Sequence, residues 1–173
     1  MAADDDADPE SAARAIVLRK LSAAPQTRAQ LDEAMRRKGI AADVRGRVLE
    51  RFSDVGLIDD ATFARMWVES RHAGRGLARK ALAHELRRRG VDESLVDEAV
   101  DQLPAAEEEA TARALVAKRL RSTRGLEPRT RTRRLAGMLA RKGYPAALAA
   151  RVVREALESE GVDDVDLMEA EDW

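Results

Sequence analysis

An all-α protein of three tandem three-helix repeats, forming an elongated, curved, solenoid-like molecule, is the fold this sequence predicts, and three observations predict it. A basic stretch closed by a glycine and an apolar residue recurs as Met35-Arg36-Arg37-Lys38-Gly39-Ile40, Leu86-Arg87-Arg88-Arg89-Gly90-Val91 and Leu139-Ala140-Arg141-Lys142-Gly143-Tyr144, at a period of about 50 residues. Counted from each glycine, the positions eight and four before it and one, five, nine and ten after it are apolar in every copy. These are eighteen residues in eighteen places, in a chain that is 45% hydrophobic. Finally, no segment alternates apolar and polar residues over the length of a strand. Units this short cannot each enclose a large core, so neighbouring repeats must share apolar surface.

Each element follows from local chemistry. Ser11 to Ser22 reads as an apolar-faced first helix. Thr27-Arg28-Ala29-Gln30 has the form of a capping box, in which the hydroxyl and the amide each satisfy a free backbone N–H, so a second helix starts there. Its apolar residues Leu31 and Met35 are spaced by four, and Gly39 closes it in the left-handed conformation with Arg36, Arg37 and Lys38 at the negative end of the helix dipole. Val44, Val48 and Leu49 place a third helix after the turn. The second repeat opens at Asp59-Asp60, which precede Ala61-Thr62-Phe63-Ala64 as N-cap residues for a helix running to about His72. A loop ending near Gly76 leads to the helix closed by Gly90, and the next helix starts on Asp92. In the third repeat, Ala105 to about Arg121 is helical, a loop ends near Pro128, Gly143 closes the middle helix, and Pro145 starts the last one. The resulting organisation is an acidic disordered tail over 1–10, repeats over 11–58, 59–104 and 105–157, and a second acidic tail over 158–173.

Composition narrows the chemistry. There is no cysteine, which excludes disulfides, thiolate metal sites and cysteine nucleophiles, and aromatic residues are only 3%, so the core is aliphatic. Asp4, Asp5, Asp6, Asp8 and Glu10, with no basic residue among them, are the opposite of a secretory or mitochondrial targeting signal, and no apolar run approaches a membrane span. A cytoplasmic protein without membrane attachment is expected. The net charge of -1 conceals an asymmetry. Of the 32 acids, five lie in residues 1–10 and nine in residues 155–173, where no Lys or Arg stands, so residues 11–154 hold all 31 basic residues against 18 acids, a net +13. Such a body points to a polyanion or an acidic protein surface, and acidic tails compete with that partner for it.

The candidate binding residues are therefore basic: Arg36, Arg37 and Lys38 in the first repeat, Arg87, Arg88 and Arg89 in the second, and Arg129, Arg131, Arg133, Arg134, Arg141 and Lys142 in the third. Three consecutive basic residues span most of a helix circumference, so a cluster cannot point as a whole at one ligand. The third repeat favours binding over simple helix-end charge because residues 129–154 contain no acid. Gly74-Arg75-Gly76 lacks the Lys-Ser/Thr of a phosphate loop and any preceding strand. His72 and His84 have no carboxylate at ligand spacing. No catalytic residue, metal site or cofactor is expected. Trp67 is assigned to the core, and Trp173 ends the acidic tail.

Gly56-Leu57-Ile58-Asp59-Asp60-Ala61-Thr62-Phe63-Ala64-Arg65, followed by Trp67-Val68-Glu69-Ser70-Arg71 and Gly74-Arg75-Gly76, resembles the signature of the RecX family of recombination regulators. Glu85-Leu86-Arg87-Arg88-Arg89-Gly90-Val91 is similar to that family's glutamate-leucine, basic, glycine-aliphatic element, and Arg36-Arg37-Lys38-Gly39-Ile40 to its earlier copy. Thr27-Arg28-Ala29-Gln30-Leu31 departs from the family's usual pattern before that first copy. The resemblance covers residues 14–157. It implies a monomeric, non-enzymatic protein that binds the RecA recombinase and its filament on single-stranded DNA, restrains filament growth, strand exchange and ATP hydrolysis, and contacts single- and double-stranded DNA through phosphates. The residues alone leave open a stand-alone tandem helix-turn-helix-like nucleic-acid-binding protein. Scarce stacking aromatics and the lack of an evident recognition helix weigh against sequence-specific reading of DNA.

Overall fold

The computed structural model describes residues 8–161, and the regular structure within them is entirely helical. The helices are α1 (Pro9–Ala23), α2 (Arg28–Arg36), α3 (Ala42–Asp54), α4 (Asp60–Arg75), α5 (Arg79–Arg88), α6 (Glu93–Asp101), α7 (Ala105–Leu120), α8 (Pro128–Arg141) and α9 (Ala146–Glu158), with a 3-10 turn at Arg121–Thr123. No helix among the described residues is long and apolar enough to cross a membrane. The chain divides into two compact units. One comprises the residues up to Met66 together with Leu86–Val96, and the other comprises Trp67–Glu85 together with Asp97 onward.

In the first unit, α1, α2 and α3 close around Ala13, Val17, Leu31, Met35, Val48, Leu49 and Phe52. The expected capping box is formed: the backbone N–H of Gln30 donates to the Thr27 hydroxyl at 3.2 Å, and that of Thr27 donates to the Gln30 side chain at 3.0 Å. Asp59 caps α4 by accepting from the backbone N–H and hydroxyl of Thr62, and these bonds hold its carboxyl below the usual range. Asp60 does something else. Its Oδ1 accepts from the backbone N–H of Arg28 at 2.8 Å, so it supports the start of α2, and burial pushes its carboxyl up.

In the second unit, α7, α8 and α9 enclose Ala112, Val116, Leu135, Leu139, Val152, Val153 and Leu157. Fully burying each of these valine and leucine side chains stabilises the fold by about 1.5–3 kcal/mol. Of the eighteen repeat positions identified in the sequence, fifteen are buried; Ile40, Leu95 and Leu148 are half-buried. The three turn glycines take the left-handed conformation, with φ of 77°, 76° and 89° at Gly39, Gly90 and Gly143.

The turns at Gly90 and Gly143 also pack on the start of another repeat's middle helix. The Thr27 hydroxyl donates to the Arg89 carbonyl at 2.6 Å, and a Cβ on Gly90 would lie 2.4 Å from that of Ala29. Correspondingly, the Ala78 N–H donates to the Lys142 carbonyl at 2.8 Å, and a Cβ on Gly143 would lie 2.4 Å from the Ala81 nitrogen. Helices α2 and α5 each begin eleven residues before their glycine, whereas α8 begins fifteen before Gly143, one turn earlier.

Two local expectations need correction. Helix α1 begins at Pro9, inside the expected acidic tail, because Asp8 accepts from the Glu10 N–H and the Ser11 hydroxyl. Trp67 is half-buried rather than core. Its Nε1 donates to Glu85 at 2.8 Å and its ring carries the Arg71 guanidinium 4.2 Å above it. His72 is buried; its Nδ1 must carry a hydrogen to meet the Leu77 carbonyl at 2.8 Å, while Nε2 lies 2.9 Å from the Thr111 hydroxyl. The remainder of the expected tails, residues 1–7 and 162–173 with Trp173, lies outside the described residues.

Candidate nucleic-acid interface

The twelve candidate basic residues occupy different environments. In the first repeat, Arg36 and Arg37 are exposed but share one acid. Arg36 donates to Glu33 at 2.7 and 2.9 Å and Arg37 at 2.8 Å, and the two guanidiniums, Arg36 foremost, hold the Glu33 carboxyl down to about 2. With Arg19 and Lys20 from α1, Arg37 and Lys38 border a groove of about 460 Å³ between α1 and α2 that also contains Glu33.

In the second repeat, Arg87 donates to Glu93 at 2.8 Å, Arg88 is exposed, and Arg89 is half-buried at the turn whose carbonyl is held by Thr27. At the position equivalent to Ile16, which lines the first-repeat groove, the second repeat has Trp67. Glu85 accepts from the Trp67 ring nitrogen and lies 4.0 Å from Arg71 and 3.7 Å from Arg75.

The third repeat separates its six candidates. Arg131 is buried, contrary to expectation for a ligand-binding residue. It donates to the Thr123 hydroxyl at 3.1 Å and to Glu160 at 2.5 Å, so it fastens α8 to the end of α9. Lys142 is half-buried and donates to the Arg75 carbonyl at 2.6 Å, another structural role. Arg129 is exposed near the start of α8. Arg133, Arg134 and Arg141 come together with Arg119 from α7 around a groove of about 550 Å³, floored by Leu135 and Met138. Among the described residues, none of these four guanidiniums has an acidic partner.

Alignment on the turn glycines explains the difference. Six residues before them stand Glu33, His84 and Gly137, and five before them stand Ala34, Glu85 and Met138. The first repeat thus carries an acid beside its arginines and the second carries one beside Trp67. The third carries none, and the absence of a side chain at Gly137 leaves room for the Arg141 guanidinium: a Cβ there would lie 3.3 Å from Nη1. Arg119 was not among the sequence candidates. Its signal lies in the first helices, where Lys20, Arg71 and Arg119 stand three residues after the buried Val17, Val68 and Val116.

Three family models, describing the first, second and third three-helix domains of RecX, match residues 13–52, 59–100 and 107–153. The chain belongs to the RecX family. Similar relatives are the regulatory protein RecX of Thermobifida fusca (strain YX), 63% identical over 151 residues that span 87% of this chain and 82% of that protein, and that of Streptomyces coelicolor (strain ATCC BAA-471 / A3(2) / M145), 60% identical over 156 residues, 90% and 83% of the two chains. Two solved RecX structures share the fold. RecX from Lactobacillus salivarius has a TM-score of 0.80 at 19% identity, covering 87% of this chain and 97% of its own, and a second regulatory protein RecX has a TM-score of 0.77 at 21% identity, covering 88% and 80%.

Proposed function

We propose that this RecX-family chain is a non-enzymatic, monomeric regulator of homologous recombination that binds the RecA recombinase filament on single-stranded DNA and restrains its growth, strand exchange and ATP hydrolysis. The observation that carries the reading is the match of all three RecX domains in order, with relatives named as regulatory proteins aligned over most of their length. Tandem repeats supply several modest contacts on one chain, and linked contacts bind far more tightly than each would alone. The basic third-repeat groove supports an accompanying phosphate contact, and its lack of aromatic lining fits binding without sequence preference.

Co-sedimentation with RecA, with and without single-stranded DNA, tests the reading. The chain is expected to pellet with the filament and, at amounts below one per recombinase subunit, to lower filament-dependent ATP hydrolysis. Binding to DNA that is unaffected by the recombinase, with no effect on its ATPase, would instead identify a stand-alone nucleic-acid-binding protein.

A further inference from the structure

We infer that the groove between α7 and α8 is the chain's principal phosphate site, taking the phosphodiester backbone of a single nucleic-acid strand, while the equivalent places in the first two repeats are held back by their own acids. This deepens the proposed DNA contact by naming where the strand is held.

The first and third repeats differ in the surroundings of one aligned arginine. Arg37 and Arg141 are equivalent, two residues before their glycines. Arg37 is bonded to Glu33 at 2.8 Å, so an incoming phosphate must displace a carboxylate already in place. Arg141 faces Gly137 instead and shares its groove with Arg119, Arg133 and Arg134, with no carboxylate lining it among the described residues. Four like charges around one cavity repel each other, and an anion relieves that repulsion while accepting bidentate bonds from guanidinium forks. A phosphodiester chain carries one charge per nucleotide at regular spacing, which suits several guanidiniums in succession. The groove suits a single strand, whose flexible backbone can bend into it, better than a wide and stiff duplex. The apolar floor of Leu135 and Met138 can lie against sugars but offers no ring on which a base could stack.

The test transfers the acid between repeats. Gly137→Glu places a carboxylate where the first repeat has Glu33, and Gly137→Gln controls for size. Gly137 lies inside α8, and an added Cβ meets only the movable end of Arg141, so both variants gain helix propensity over glycine. Binding of a labelled oligothymidylate is measured by fluorescence anisotropy across salt concentrations, on the protein alone. The Glu variant is expected to bind roughly tenfold more weakly than the Gln variant, with its salt slope reduced by about 0.7 for each phosphate that it no longer neutralises. Glu33→Gln should do the reverse and tighten binding by releasing Arg36 and Arg37. Equal affinity and slope for the Glu and Gln variants would overturn the proposal, as would tighter binding of polyglutamate or of a duplex of equal length than of the single strand. Because no recombinase is present, failure here leaves the co-sedimentation result standing, and failure of co-sedimentation leaves this groove standing.

Discussion

The hydroxyl of Thr27 donates to the backbone carbonyl of Arg89 at 2.6 Å while accepting from the N–H of Gln30 at 3.2 Å. One buried side chain thus caps α2 and grips the turn that closes α5. Turns of this kind set the packing of the repeats, so residues at the turns should matter unequally although their sequences look alike.

Gly90→Ala should destabilise far more than Gly39→Ala. Both positions have φ near 77°, a left-handed conformation that costs an L residue about 1–2 kcal/mol. Only at Gly90 does the added Cβ collide, 2.4 Å from that of Ala29; nothing lies within 4 Å at Gly39. The collision adds about 1–3 kcal/mol. Urea unfolding of the two variants gives the comparison, and equal losses would show that the Gly90 turn yields freely.

Tyr144 is the chain's single tyrosine, so its titration can be read directly from tyrosinate absorbance. Its hydroxyl donates to the Gly76 carbonyl at 2.9 Å, and burial pushes its pKa up to about 12. Because the folded value lies above the unfolded one, near 10, this group's contribution is fully present below pH 10 and is lost as pH rises towards 12. Tyr144→Phe should remove that alkaline loss. At neutral pH it should cost about 1–3 kcal/mol, since the Gly76 carbonyl loses its buried donor. A folded-state absorbance midpoint near 10 would contradict the burial argument.

Removal of the acidic C-terminal segment should be made after Gly161 and not before Glu158. Glu160 accepts from Arg131 at 2.5 Å and from Arg124 at 3.0 Å, and Leu157 is fully buried. A chain ending at Gly161 should keep its melting temperature and bind oligothymidylate more tightly at low salt, because acids that compete for the basic body are gone. One ending at Leu157 should melt several degrees lower, with buried Arg131 deprived of its acid. Unchanged affinity of the longer truncation product at low salt would show that residues 162–173 do not compete.

Restraint of the recombinase should depend on the third-repeat groove more than on the second-repeat cluster. Arg134→Gln combined with Arg141→Gln is expected to raise the concentration needed for half-inhibition of RecA ATPase several-fold, Arg88→Gln less, and Arg47→Gln not at all. Reversing Arg45, Arg47 and Arg51 together would be an unsuitable control. Arg45 is largely buried and donates to Asp32 at 2.8 Å and to the Ile40 carbonyl at 2.9 Å, so its loss would loosen α2 from α3. If both double and single variants inhibit like the parent at equal helicity, the basic residues serve the fold alone.

What the sequence determined by itself was the repeat. Helix periodicity, left-handed glycines and a capping box are local features, written in residues a few positions apart, and the buried columns from Leu31 to Val153 follow from them. Which basic residues remain available was decided only in three dimensions. Arg131 and Arg134 stand in the same run, yet one is bound to Glu160, far along the chain, and the other faces an open groove with Arg119. A charge's partner is set by proximity after folding, and nothing within one helix reveals whether an acid from another will reach it. Gly137 is the exception in part: its lack of a side chain is visible in the sequence, but its meaning came from Glu33 pairing with Arg37 at the equivalent place in another repeat.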